Sequence, residues 1–226
     1  MAYTSVRRHS TVSSKPVKQR ELRTTATRDA LLGAAREELR KRGYANATVA
    51  GIVKRARRAH GTFYLYFPNK EAVYAVLLED MWSDLKAQGR AIWNPDEPML
   101  SVTATIQRFI SAYGDNLDLW ELAEDMSATN PHFLKLRIEH HQLLARKVRS
   151  GIEGSIDAGN VAGLDLDVLA NILAGMLEAA CRVNFREGLK RDVDVLTDHV
   201  ATVWGRALGY VTVEPQGRPE ELLAKP

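Results

Sequence analysis

His60-Gly61-Thr62-Phe63-Tyr64-Leu65-Tyr66-Phe67-Pro68-Asn69-Lys70-Glu71 is the stretch on which the fold turns. Small and polar residues open it, aromatics follow, and Pro68 and Asn69 stop it. On a helix Phe63 and Phe67, four apart, share the face that meets a core, and Tyr64 falls on the other side. Just upstream, Val49, Ile52, Val53 and Ala56 recur at i, i+3, i+4 and i+7, which predicts a short helix with one buried stripe. Thr48 stands where its hydroxyl can cap that helix. Arg57-Arg58-Ala59 form the tight turn between the two short helices. Further upstream, Leu31, Ala34, Ala35 and Leu39 line one face of a helix beginning near Thr27, and Gly43 ends it as a C-cap glycine.

Two short helices joined by a tight turn form a unit in which the second can lie in the DNA major groove. The residue types suit that use. Gly61 permits close approach of the backbone. Thr62 offers a hydroxyl and a methyl, fitted to a phosphate or a thymine methyl. The Tyr64 hydroxyl can reach a phosphate. Lys70 opens the next helix, where its charge and the unpaired amides can clamp another phosphate.

Arg42-Gly43-Tyr44, Thr48-Val49, Ile52-Val53 and the run Gly61 to Glu71 together resemble the DNA-binding domain of the TetR family of bacterial regulators. That resemblance implies a homodimer, a palindromic double-stranded operator, repression in most relatives, and a C-terminal domain whose small effector releases the DNA. The turn departs from the family pattern, which carries Gly-Val-Ser there. Arg57 stands where glycine takes a left-handed conformation. Arg58 replaces an apolar residue, and Ala59 replaces the serine that caps the recognition helix, a loss of about 1 kcal/mol. The two arginines either add phosphate contacts or decorate a locally altered turn.

Charge is divided along the chain. Residues 1–70 hold 16 Lys+Arg and 4 Asp+Glu, while the remainder is acidic, although the whole carries only +3. A basic head on an acidic body suits a protein presenting one end to a polyanion. Residues 1–24 show no hydrophobic period and read as a flexible basic arm, either a plain tail or a DNA contact. Arg20 and Arg23 are better placed for DNA than Arg7 and Arg8. The expected DNA-binding set is Arg20, Arg23, Thr48, Arg57, Arg58, His60, Gly61, Thr62, Tyr64, Tyr66 and Lys70.

Beyond residue 72 the pattern predicts helices from Lys70 to about Arg90 and over 99–114, 117–128, 131–158, 165–187 and 193–209. The expected fold is all-α: a three-helix helix-turn-helix domain over 25–72, a larger helical effector-binding and dimerisation domain over 73–210, and a loose tail over 211–226. The 165–187 helix is apolar on two sides. Leu166, Leu169, Leu173, Met176 and Ala180 form one stripe; Val168, Ile172, Gly175, Ala179 and Val183 form the other. With Leu196, Val200, Val203 and Ala207 of the last helix, the second stripe suits either a four-helix dimer interface, to which Ile172, Gly175, Ala179 and Val183 are assigned, or a large monomeric core. Phe109, Tyr113, Trp120, Met126, Phe133, Leu136, His140 and Met176 either line an apolar pocket for a lipophilic effector or simply pack the core.

Chemistry for catalysis is not legible. There is no glycine-rich phosphate loop, no cysteine pair for zinc and no serine elbow. His140 and His141 point about 100° apart on a helix, so they do not make a metal face by themselves. No cofactor or metal is expected. The single cysteine, Cys181, has no internal disulfide partner, and no apolar run reaches the ~18–20 residues that span a membrane, so a cytoplasmic setting without a membrane partner is expected. Two other readings stay open: an all-α enzyme or carrier, against which the 61–70 spacing argues, and an architectural DNA binder, which would not require the apolar body.

Overall fold

The computed structural model describes residues 15–88, 94, 97–153, 161 and 163–210, with the backbone alone for 15–22 and 86–88. Among the described residues the secondary structure is helical throughout: α1 Lys15–Asn46, α2 Val49–Arg55, α3 His60–Tyr64, α4 Lys70–Gln88, α5 Pro98–Asp115, α6 Leu117–Ser127, α7 Pro131–Glu153, α8 Leu166–Phe185 and α9 Val193–Ala207. The expected tail 211–226, and Arg7 and Arg8 of the arm, lie outside the described residues.

The chain divides into two compact units, Met1–Leu77 and Leu78–Pro226, with the division inside α4 rather than at residue 72. Val73, Tyr74 and Ala75, in the first turns of α4, are buried and so extend the smaller core beyond the expected boundary.

The stretch 15–24, expected to belong to a flexible arm, is instead the start of α1. A hydrophobic period marks a buried face, and a helix can form without one. Lys, Gln, Glu, Leu and Arg are good helix formers, and Pro16 falls in the first turn, where its missing N–H costs no hydrogen bond. Gly43 takes φ 67° and interrupts α1, as a C-cap glycine does. In this unit Leu31, Ala35, Leu39, Ile52, Val53, Phe63, Phe67, Val73 and Tyr74 are buried.

The second unit is a bundle. Val102, Ile106, Phe109, Ile110 and Tyr113 of α5 are buried at helical spacing. α7 packs chiefly on α8, and α5 on α9. Caps fix the starts of the last two helices: Asp165 Oδ1 accepts from the amides of Asp167 (2.8 Å) and Val168 (3.2 Å), and Asp192 Oδ1 accepts from Asp194 (2.8 Å). The buried Asn184 amide holds the connection between them. It donates to the Arg191 carbonyl at 3.2 Å and accepts from the Arg191 amide at 2.7 Å. No described helix is long and apolar enough to cross a membrane.

Candidate nucleic-acid interface

The turn between α2 and α3 takes its shape from two backbone hydrogen bonds. The Arg58 amide donates to the Val53 carbonyl at 2.9 Å and the Arg57 amide to the Lys54 carbonyl at 3.3 Å. This is the Schellman pattern of a helix C-terminus, which requires a left-handed residue at its pivot. Arg57 is that residue, with φ 52°. A side chain there costs about 1–2 kcal/mol that glycine avoids. Arg57→Gly is therefore expected to stabilise the protein by about 1 kcal/mol, read as a rise in the thermal unfolding midpoint; an unchanged or lower midpoint would show the turn to be unstrained.

Capping is uneven. Thr48 Oγ1 accepts from the Gly51 amide at 3.0 Å and caps α2, whereas Ala59 before α3 supplies no side-chain cap. α3 is held instead by its aromatic underside. Phe63 and Phe67 are buried and their rings lie 5.6 Å apart, centroid to centroid. Arg28 lies over the Phe67 ring at 5.9 Å. The opposite side is open: Tyr64 is 51% exposed and Leu65 81%. Arg23, Thr48, Arg57, Arg58, His60 and Gly61 are exposed, and Thr62, Tyr66 and Lys70 are half-buried. Arg20 lies on α1, but its side chain is outside the described residues.

Lys70 is engaged within the fold. Its ammonium donates to the Tyr44 carbonyl at 2.9 Å and sits 4.1 Å from the centre of the Tyr44 ring. The Tyr44 hydroxyl in turn donates to Glu71 Oε1 at 2.8 Å, and the ring meets Tyr74 edge-on at 5.4 Å. Glu71 is held below the usual carboxylate range, first by a backbone amide at the start of α4 and then by the Tyr44 hydroxyl. Tyr44 thus fastens the end of α1 to the start of α4, and Asn69 Oδ1 caps α4 by accepting from the Ala72 amide at 2.8 Å.

A second fastening was not foreseen from the sequence. Glu38 of α1 is 1% exposed, and its carboxylate meets Arg55 Nε at 2.5 Å and Arg42 Nε at 3.2 Å. A Cβ on Gly51 would overlap the Glu38 carboxylate, so α2 approaches that buried side chain closely. A buried acidic residue with basic residues 4 and 17 positions on is a weak sequence signal, because exposed helices carry the same spacing.

In the second unit, Phe109, Tyr113, Trp120 and His140 of the expected pocket set do converge. Tyr113 stacks on Trp120 at 4.6 Å, Phe109 lies 6.0 Å from Trp120, and His140 meets Trp120 at 5.1 Å. Two rings missed by sequence reasoning join them: Trp82 of α4, stacked on His140 at 4.8 Å, and Phe185 of α8, stacked on Tyr113 at 5.9 Å. Phe133 and Leu136 are buried on α7 outside these ring contacts, and Met126 and Met176 are half-buried. His141 faces away from the rings, with Nδ1 2.9 Å from Glu178 Oε2. Among the described residues no group of three His, Cys, Asp or Glu side chains could hold a metal ion.

The two expected stripes of α8 separate only in part: Leu166, Met176 and Ala180 of the first are half-buried, and the buried face is completed by Ala170, Ala174, Leu177 and Cys181, which neither stripe contained. Leu169 and Leu173 are buried, while Ile172 is 60% exposed and Gly175, Ala179 and Val183 are half-buried. The α9 stripe needs correction. Leu196 and Val200 are buried within this chain's own core, and only Val203 and Ala207 are exposed. The reason is the position of Trp204: it continues Leu196 and Val200 at four-residue steps, so the core-facing stripe is 196-200-204-208 and residues 203 and 207 turn about 100° away.

Residues 31–77 match the model of the bacterial regulatory proteins of the tetR family. An uncharacterized helix-turn-helix transcriptional regulator of Bacillus subtilis, YdgC, is 26% identical over 170 residues, which are 73% of this chain and 84% of the relative. A transcriptional regulator from Rhodococcus sp. RHA1 superposes with a TM-score of 0.69 at 16% identity, over 83% of this chain and 99% of the other. FadR of Bacillus subtilis, solved in complex with stearoyl-CoA, superposes with a TM-score of 0.62 at 20% identity, over 81% and 98%. At these identities the structural likenesses speak for the fold. The match over 31–77, with the turn and the aromatic underside of α3, gives the first unit the helix-turn-helix of the tetR family of bacterial regulatory proteins.

Proposed function

We propose that the chain is a cytoplasmic repressor that acts by binding rather than by catalysis. As a homodimer it seats α3 of each subunit in the major groove of a palindromic operator, and it lets go when a small lipophilic effector enters the second unit. The observation that carries this reading is the division of α3. Phe63 and Phe67 are sealed below it, while His60, Gly61 and Tyr64 are open to a duplex and Thr62 is partly so. Arg57 and Arg58, exposed in the preceding turn, and Arg23, exposed on α1, would meet the flanking phosphates, and Arg20 is assigned to the same role from its place in the sequence.

The exposed face of α8, with Val203 and Ala207 of α9, supports the dimer. Val168 and Ile172 are large apolar side chains left in water in the single chain, and a partner helix would cover them. The apolar rings of the second unit support a lipophilic effector, as does the fold shared with FadR and its stearoyl-CoA complex.

DNA recognition is tested with the region beside the protein's own gene. Thr62→Ala combined with Tyr64→Ala is expected to weaken binding by at least about thirtyfold. The thermal midpoint should be little changed, because Tyr64 is exposed. Retained sequence-specific affinity in that variant would refute the assignment of α3.

A further inference from the structure

We infer that Trp82, Trp120 and His140 form the polar anchor of the effector site, and that the effector presents to them an uncharged, carbonyl-type acceptor carried on an apolar body. This rests on the reading that the second unit binds an effector, and it specifies what that effector must look like.

The three side chains come from α4, α6 and α7 and touch one another. Ring centroids are 4.8 Å apart for Trp82 and His140, 5.1 Å for Trp120 and His140, and 6.4 Å for the two indoles. Each is more than nine-tenths buried: 7%, 8% and 7% exposed for Trp82, Trp120 and His140. Among the described residues, neither indole N–H and neither imidazole nitrogen has a hydrogen-bond partner. The nearest carboxylate oxygen, Glu178 Oε1, is 3.9 Å from His140 Nε2, too long for a hydrogen bond. Buried polar groups are nearly always paired, so an orphan calls for an explanation. Three in mutual contact define a place where a polar partner fits.

The chemistry of that partner follows from the groups. An indole N–H only donates, and a neutral imidazole donates once and accepts once. Three donors therefore face one acceptor, and the complement is rich in acceptors. His140 is kept neutral by burial, with His141 and Lys147 adding to the effect, and its pKa is pushed down to about 3. No cation is thus present in the trio to repay the desolvation of a carboxylate, and Glu178 stands close by. A carbonyl oxygen meets both requirements. The neighbouring rings of Phe109, Tyr113 and Phe185 make the surroundings of the trio apolar, which suits the apolar remainder. The carbonyl can belong to a flat ring system or to the thioester of an acyl chain.

The test uses the full chain and three probes: menadione as a flat ring carbonyl, stearoyl-CoA as a chain thioester, and stearate as a carboxylate. Binding is measured by calorimetry, and the indole N–H resonances are followed by NMR, assigned through Trp82→Phe and Trp120→Phe. Menadione or stearoyl-CoA is expected to bind and to shift both indole resonances downfield. Trp120→Phe and His140→Phe should each weaken that binding about tenfold or more. His140→Phe should also raise the thermal midpoint of the ligand-free protein, since it replaces an orphaned ring by one of similar size. Wild-type affinity in both variants overturns the anchor and leaves the effector reading intact. A lowered midpoint in His140→Phe overturns it too, because the imidazole would then be paired through water. Tighter binding of stearate than of either carbonyl probe, or binding of none of the three, overturns the proposed chemistry. A carbonyl probe that binds the trio without loosening operator DNA sinks the effector reading instead.

Discussion

Arg55→Met is expected to destabilise the DNA-binding unit by about 3–5 kcal/mol and to abolish operator binding with it. The effect comes from what is left behind. Glu38 is buried, and Arg55 is the partner that meets it at 2.5 Å. Arg42, the other basic neighbour, has a side chain that is 58% exposed and cannot alone offset a charge held out of water. The expected result has a second half. Glu38→Leu in the same chain should recover most of the lost stability, because a buried ion pair replaced on both sides by apolar groups of similar volume is often neutral or better. A double-mutant cycle by chemical denaturation checks both halves. Equal destabilisation by the single and double variants would show that the contact contributes through shape, not charge.

The second large effect concerns Phe63. Phe63→Ala removes the fully buried ring that anchors α3 and should cost about 3–5 kcal/mol. For a chain of this length that is a fall of roughly 10 °C in the thermal midpoint. α3 is one short helix without a side-chain cap, so it has little independent means of persisting once its anchor is gone. DNA affinity should fall further than in the surface variant at Thr62 and Tyr64, and here it should fall together with stability. A midpoint within a degree or two of wild type would mean that Phe67 and its neighbours hold α3 without Phe63.

Which features could be read in the sequence follows from how local their causes are. Thr48 and Gly43 act within one turn of backbone, and the start of α2 and the interruption of α1 fall where they were expected. The left-handed Arg57 was legible only through the family resemblance, which puts glycine at that place in the turn. The α8 stripes were legible only in part: Leu177 and Cys181 lie on the buried face outside both, and a helix apolar on most sides has no period that tells one face from the next. The misses are longer in range. Leu196 and Val200 were paired with Val203 and Ala207 because all four are apolar, and only the packing of Trp204 decides which of them face inward. Trp82 joins its ring partners from 38 and 58 positions away along the chain. Nothing in the spacing of α4 distinguishes that tryptophan from an ordinary core residue. The helical stretch from Lys15 was missed for the opposite reason: no hydrophobic period marks it in the sequence.

The fastening of Tyr44, Glu38 and their partners also bears on how the head responds to salt. Its sixteen lysines and arginines suggest a large displacement of condensed ions on binding, but several are already engaged inside the protein. Arg42 and Arg55 face Glu38, Lys70 lies against Tyr44, and Arg36 and Arg40 have intramolecular partners of their own. Counterion release scales with phosphates neutralised, not with basic residues present. The ionic-strength dependence of operator binding is accordingly expected to fall short of what the basic count suggests, with Arg57 and Arg58 of the α2–α3 turn among the residues left to contribute.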